Sequence, residues 1–246
     1  MIRKVPVLFG ILLLATVAAV AQAGDTVAKS PVVVELFTSQ GCSSCPPAEA
    51  FLSELAPRKD VIALEFHVDY WDYIGWKDAF AKPSFTKRQK DYVSSLKGRY
   101  AYTPQMVIDG RAHVVGSHRD EVESMIERYR AEDTGGPAVK IRYQDKDDLV
   151  DVSVGADSRE SGTYDVMLFT FDKPHETDVR RGENRGRTLM NANVVREMIR
   201  LGTWSGKAET YKASLSGKDG DGGCAVVVQK HDLGPVLAAA KISYEH

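Results

Sequence analysis

Cys42 and Cys45 stand two residues apart in "TSQGCSSCPP" (38–47), directly after the apolar run "VVVELF". Two thiols at that spacing can form a structural disulfide, supply half of a metal site, or act as a redox-active dithiol. The thiolate is the reactive form, and a helix N-terminus favours it through free backbone N–H groups and the helix dipole. Proline in the first helical turn loses no intrahelical hydrogen bond, and it disfavours α conformation in the residue before it. Pro46-Pro47 therefore fit only at a helix start, which puts both cysteines at that terminus. By this position Cys42 is expected to be the exposed nucleophile, and Cys45 the resolving thiol that closes the disulfide.

The elements that must hold the pair are legible from residue periodicity. "PVVVELF" and "VIALEFHVD" (61–69) read as strands buried on both faces. Ala48, Phe51, Leu52 and Leu55 fall at helical spacing before Pro57. "SFTKRQKDYVSSLKG" places Phe85, Tyr92, Val93 and Leu96 on one helical face, with Ser84 as N-cap and Gly98 as stop. "QMVIDGRAHVVG" gives two strands joined at Asp109-Gly110, a hairpin signal. A last helix opens at Ser117 with Asp120 three residues on, a capping-box pattern, and buries Val122, Met125, Ile126 and Tyr129. The order is β-α-β-α-β-β-α.

Gly135-Gly136-Pro137 breaks the chain. Beyond it "AVKIRY", "LVDVSV", "YDVMLFTF", "AETYKASL" and "CAVVVQK" are short alternating runs between turn-formers, as in an antiparallel sandwich. "NVVREMIRLGTW" fits helix or strand. The expected fold class is α/β over about 30–134, followed by a β-rich, sandwich-like part over about 137–246.

The ends and composition bound the setting. Arg3 and Lys4, an apolar stretch from Val5 to Val20 and Ala21-Gln22-Ala23 form a leader pattern over 1–23, with cleavage expected before Gly24. The apolar stretch is short of the roughly 20 residues of a spanning helix, so no stable membrane insertion is expected after cleavage. A periplasmic or extracellular compartment, permissive for disulfides, follows. Without Arg3 and Lys4 the chain carries 30 basic against 34 acidic side chains, a net charge of −4. A mildly acidic chain with no basic tail argues against nucleic acid as partner. Three cysteines are too few for a disulfide-built scaffold.

"VELFTSQGCSSC" and "YTPQMVIDGRAHVVG" resemble the opening and the proline-strand-turn-strand passage of the thioredoxin-like superfamily. With "FHVDYWDYIGWKD" and "GENRGRTL", the chain resembles DUF1223, a family of secreted thioredoxin-like proteins, over nearly all of its mature length. The resemblance implies a thioredoxin fold and a cis Thr103-Pro104 bond packed against the dithiol, with the Thr103 backbone pairing with substrate. It also implies a buried acid on the preceding strand as proton acceptor, for which Glu35 is the candidate. The chain departs from thioredoxins at Gly41, where an aromatic is usual, and at Ser43-Ser44, so the direction of electron flow is not legible.

Other constellations compete. "FHVDYWDYIGWKD" (66–78) crowds His67, Asp69, Tyr70, Trp71, Tyr73 and Trp76 at the carboxyl end of the second strand, the edge where α/β sheets gather ligands. It reads either as a substrate lip with His67, Asp69 and Trp71, or as a packing loop with His67 a core histidine. Cys42, Cys45 and His67 could hold copper or zinc, but a structural zinc site wants a second pair, which is lacking. Cys224 reads as a buried apolar residue. Arg180, Arg181, Arg185 and Arg187 read as a solvated loop that could also hold an anion, or a carboxylate on the first domain.

The expectation from sequence is a secreted thiol–disulfide oxidoreductase needing no cofactor, whose partner is a protein thiol or disulfide or another redox protein. Cys42, Cys45, Pro104 and Glu35 would do the chemistry; Thr103, His67, Asp69 and Trp71 would meet the substrate. The rivals are a binding protein with a static disulfide and a copper or zinc carrier.

Overall fold

A computed structural model describes residues 29–133 and 135–244; the leader expected over 1–23 lies outside them. The first half contains β1 (Val32–Thr38), α1 (Pro46–Leu55), β2 (Val61–His67), α2 (Pro83–Ser95), β3 (Gln105–Ile108), β4 (Ala112–Val115) and α3 (Arg119–Glu132). Its strands form one sheet in the order β2-β1-β3-β4, with β1 and β2 parallel and the other neighbours antiparallel. Every residue of β1 and β2 is buried, as their β-branched runs require.

Alternation along β1 divides the interior. Val32, Val34 and Leu36 face α1 and α3, meeting Ala48, Phe51, Leu52, Val122 and Ile126. Val33 and Phe37 face the other way, toward Phe85 and Tyr92 of α2.

Apart from one 3-10 turn at Asp145–Asp147, the second half is built of strands: β5 (Val139–Gln144), β6 (Leu149–Val154), β7 (Tyr164–Phe171), β8 (His175–Asp178), β9 (Thr188–Asn191), β10 (Val195–Trp204), β11 (Glu209–Ser214), β12 (Gly223–Lys230) and β13 (Val236–Ser243). Sheets β10-β7-β12-β13 and β11-β6-β5 stack around Val150, Val152, Leu168, Trp204 and Val226. The outer face of the larger sheet, with Phe169, Phe171, Ala225 and Val227, packs into the same core as Phe37, Phe66 and Phe85. The chain is thus mixed α/β with mostly antiparallel, β-rich architecture, and its two halves share an interior.

Two local expectations are revised and one open reading is resolved. α2 begins at Pro83 after an extended Lys82, so Ser84 lies inside the helix rather than capping it; Pro83 has no N–H to lose there and its φ is already helical. α3 starts at Arg119, with His118 preceding it and no side-chain cap, so the Ser117 capping box does not form. "NVVREMIRLGTW" supplies β10, a strand with two bulges. The Asp109-Gly110 turn behaves as its sequence demands, with φ of 55° and 62° at the two residues.

Candidate functional site

Cys42 and Cys45 are joined in a disulfide at the N-terminus of α1, their Cα atoms 5.4 Å apart. Cys45 precedes Pro46, and the N–H groups of Ala48 and Glu49 donate to its carbonyl. Both cysteines are buried, at 1% and 0% exposure, while Ser43 and Ser44 between them face solvent. The expected exposed nucleophile is therefore covered, and its cover comes from three other parts of the chain.

The first cover is the segment before β3. The Thr103-Pro104 peptide is cis. Thr103 Oγ1 donates to Cys42 Sγ at 3.2 Å, and Trp71 Nε1 donates to Thr103 Oγ1 at 2.8 Å. Ser44 Oγ reaches the Thr103 carbonyl at 3.5 Å. The second cover is the aromatic loop itself. A Cβ on Gly41 would sit 3.2 Å from Trp71 Cβ and 3.4 Å from Ile74 Cδ1. The aromatic absent before the first cysteine is thus replaced in space by Trp71, and Gly41 is the residue that leaves it room.

The third cover is the β8–β9 hairpin of the second half. Asn184, fully buried in its turn, donates from Nδ2 to the carbonyls of Gln40 and Cys42, both at 2.9 Å. The Ser43 N–H donates to Glu183 Oε2 at 3.3 Å, and Gln40 Nε2 donates to Thr177 Oγ1 at 3.1 Å. The residue pattern of this passage is that of a loop, because β8 and β9 are four residues each and half-exposed.

Behind the dithiol, on the α1 face of the sheet, lies a buried polar cluster. Glu49, one helical turn beyond Cys45, accepts from Thr38 Oγ1 at 2.7 Å, and its Oε2 has no partner among the described residues. His67 Nδ1 meets Asp78 Oδ2 at 2.7 Å and its Nε2 lies 3.6 Å from Glu65 Oε1. Asn191 Nδ2 donates to Glu65 Oε1, and the Gln40 N–H donates to Asp78 Oδ2, both at 2.8 Å. Asp78 thereby ties the cluster to the loop that leads into Cys42. Burial, then the neighbouring Glu65 carboxylate, pushes the Glu49 carboxyl up to about 8. Burial presses on His67 in the opposite direction, but Asp78 and Glu65 outweigh it and hold the imidazolium well above its ordinary range.

Glu49 was not singled out from sequence. Its signal was a carboxylate four residues after Cys45, on a face shared with Ala48 and Leu52. A consequence is measurable. The folded protein keeps the Glu49 proton between the ordinary 4.5 and about 8, whereas the unfolded chain has lost it. Stability therefore falls across that window by up to about 1.4 kcal/mol per pH unit for this one proton. His67, protonated in the fold beyond its ordinary 6.5, adds a fall of the same sign above that pH. Glu49→Gln should flatten the slope below pH 6.5 in urea titrations at stepped pH; an unchanged slope would show that Glu49 ionises normally.

Three residues expected at the site are elsewhere, and the structure corrects each. Glu35 shares a strand face with Val33 and Phe37 and so faces α2, away from α1. Its carboxylate is taken by Arg88, with Nε at 2.6 Å and Nη2 at 2.9 Å, and by the Tyr92 hydroxyl at 2.5 Å. It is a structural ion pair rather than a proton acceptor for Cys45. Asp69 accepts from Thr86 Oγ1 at 2.6 Å and so anchors the aromatic loop to α2. His67 is fully buried, which takes it off the substrate lip. Trp71, Thr103 and Pro104 do gather at the disulfide.

His67 turns its ring to Asp78 and Glu65 rather than to the thiols, and no group of three metal-ligating side chains arranged to hold an ion occurs among the described residues. Cys224 is fully buried in β12 and burial pushes its thiol up to about 11, which makes it inert rather than a relay.

A disulfide at a helix N-terminus, sealed by parts of both halves of a mixed α/β chain, defines the class of protein. The chain belongs to DUF1223, described as a family of proteins of unknown function, whose model matches residues 33–229. No curated protein matches. Among solved structures, a crystal structure of a protein from Agrobacterium tumefaciens is 32% identical, with a TM-score of 0.76 over 89% of this chain and 99% of that one. HBP35 of Porphyromonas gingivalis, at 12% identity, shares the fold with a TM-score of 0.58, covering 87% of this chain and 75% of its own.

Proposed function

We propose that this protein is a periplasmic or extracellular thiol–disulfide oxidoreductase, with a thioredoxin-like part over about 30–134 and a β-rich part over about 137–246 that shapes access to it. The observation that carries the reading is the Cys42–Cys45 disulfide at the N-terminus of α1 with the Thr103 hydroxyl on the Cys42 sulfur. The β-α-β-α-β-β-α order and the sheet order β2-β1-β3-β4 support the thioredoxin-like assignment.

In the oxidised form, a partner thiolate attacks Cys42 Sγ; the Cys42–Cys45 bond breaks and Cys45 leaves as a thiolate. A second partner thiolate then attacks the partner's own sulfur in the mixed disulfide, forming the partner disulfide and releasing the Cys42 thiolate. Two electrons pass from partner to protein, and the reverse sequence returns them. The α1 N-terminus stabilises the thiolates. Glu49, protonated up to about pH 8 and one turn along α1, is the proton-holding group on the Cys45 side, in place of Glu35. Partners reach Cys42 once the Trp71–Thr103 bridge parts.

Burial of both cysteines favours a second reading, a static disulfide in a binding protein. As a staple the bond is weak, however. A closed loop of four residues contributes only about 2 kcal/mol by chain entropy. The reduction potential separates the two. A value above about −270 mV, with a thiol pKa below about 7 in Cys224→Ala, is expected for exchange. A value below about −300 mV with an unreactive thiol would overturn it.

A further inference from the structure

We propose that the turn of the β8–β9 hairpin is an acidic-partner surface, so that the dithiol exchanges preferentially with a protein segment whose cysteine is flanked by carboxylates. The inference deepens the exchange reading above and rests on it.

The hairpin is not a free loop. Its buried Asn184 holds the carbonyls of Gln40 and Cys42, and Gly182 packs so closely on Trp76 that an added Cβ would lie 3.2 Å from Trp76 Cβ. Whatever the hairpin displays is thus held in fixed relation to the disulfide. What it displays is cationic: Arg180, Arg181, Arg185 and Arg187 are all exposed in a stretch of eight residues.

The acids beside these arginines, Glu183 and Asp178, turn to other hydrogen-bond donors rather than to the guanidinium groups. Glu183 accepts from the Ser43 N–H at 3.3 Å, and Asp178 accepts from Thr188 Oγ1 at 2.7 Å. Arg187 donates to Asn184 Oδ1 at 3.2 Å, which braces the turn. Arg180, Arg181 and Arg185 have no ion pair or hydrogen bond from their side chains among the described residues. Most other arginines of the fold, Arg58, Arg88, Arg119, Arg128, Arg130, Arg196 and Arg200 among them, are paired with carboxylates.

Arg180, Arg185 and Arg187, with Asp178, Val179 and Gly186, line a depression of about 320 Å³. Guanidinium groups match carboxylates in planar, two-point fashion. Several cations spread along a turn fit an extended chain carrying several carboxylates better than one small anion. Ser43 and Ser44, between the two cysteines, face solvent, as does Tyr73 of the aromatic loop, 80% exposed. Exposed opposite charges mainly raise the encounter rate and are screened by salt.

The test compares three dithiol peptides with identical Cys-x-x-Cys centres and flanks of three Glu, three Gln or three Lys, as reductants of the oxidised full chain. The Glu peptide should react about tenfold faster than the Gln peptide at low ionic strength, the Lys peptide slower, and the differences should vanish in 1 M salt. In Arg180→Gln/Arg181→Gln/Arg185→Gln the Glu peptide should fall to the rate of the Gln peptide. Equal rates for all three peptides, or an undiminished Glu advantage in the triple variant, would overturn the surface while leaving exchange standing. If no peptide reacts, the exchange reading fails. A serine-for-cysteine Glu peptide then judges the surface alone: salt-sensitive binding lost in the triple variant supports it, and absence of binding overturns it.

Discussion

Cys45→Ser will leave the protein covalently joined to its partner through Cys42, and Cys42→Ser will not. The expectation follows from the order of the two thiols on α1. Cys42 Sγ is the sulfur that Thr103 and Ser44 touch, at 3.2 and 3.4 Å, on the side where Ser43 and Ser44 reach solvent. Cys45 lies at the base, fully buried. A partner therefore meets Cys42 first, and without a resolving thiol the mixed disulfide persists. Non-reducing gels of each variant recovered from the cells that express it, probed before and after reductant, give the result directly. Exchange should drop to the uncatalysed background in both variants, but only Cys45→Ser should carry adducts. Adducts in neither would favour the static disulfide, and adducts through Cys45 alone would reverse the assigned roles. Loss of the bond itself should cost only about 2 kcal/mol of stability, so folding is not expected to confound the comparison.

Arg88→Met should destabilise the protein by roughly 3–5 kcal/mol, the cost of leaving a buried charge without its partner. Arg88 is 4% exposed and holds Glu35 with two nitrogens. Nη2 also reaches the Tyr92 hydroxyl at 3.1 Å and Gln229 Oε1 at 3.2 Å. Its guanidinium lies over the rings of Phe66, Tyr92 and Phe169. The substitution keeps an unbranched stem but strands the Glu35 carboxylate in a nearly water-free core. For a chain of this size the midpoint of thermal unfolding should fall by roughly 10 °C. Arg88→Met/Glu35→Leu should recover most of the loss, since replacing both partners of a buried pair is far less costly than removing one. A single Arg88→Met variant as stable as the parent would show that the pair contributes nothing net.

Those two sites differ in how far they could be read from the chain. The dithiol was legible because its evidence is local: an apolar strand, two cysteines and two prolines in one short stretch. Helices α1, α2 and α3 and the Asp109-Gly110 hairpin were legible for the same reason. Glu35 was not, because a carboxylate in a strand gives no sign of which face it takes. Its partner stands 53 positions on, in another element. The cover of the disulfide was hidden likewise, since Asn184 acts across 142 positions on the Cys42 carbonyl. β13 escaped notice because "VLAAAKIS" carries three alanines, which are poor strand formers alone and suffice only with β12 alongside. Helix starts at Pro83 and Arg119 moved by one or two residues because proline geometry and a backbone turn outweighed the serines beside them.

The interior common to both halves has a consequence for portability. Phe169, Phe171, Ala225 and Val227 fill the space against Phe37 and Phe66, and Asn184 reaches back to the disulfide loop. Cut at the glycine-rich break, the first 133 residues would present a bare aromatic wall and an unroofed disulfide. The disulfide-bearing half of this chain is therefore not a cassette that can be lifted out and grafted onto another scaffold. The cover of its aromatic core and the setting of its disulfide both belong to the whole.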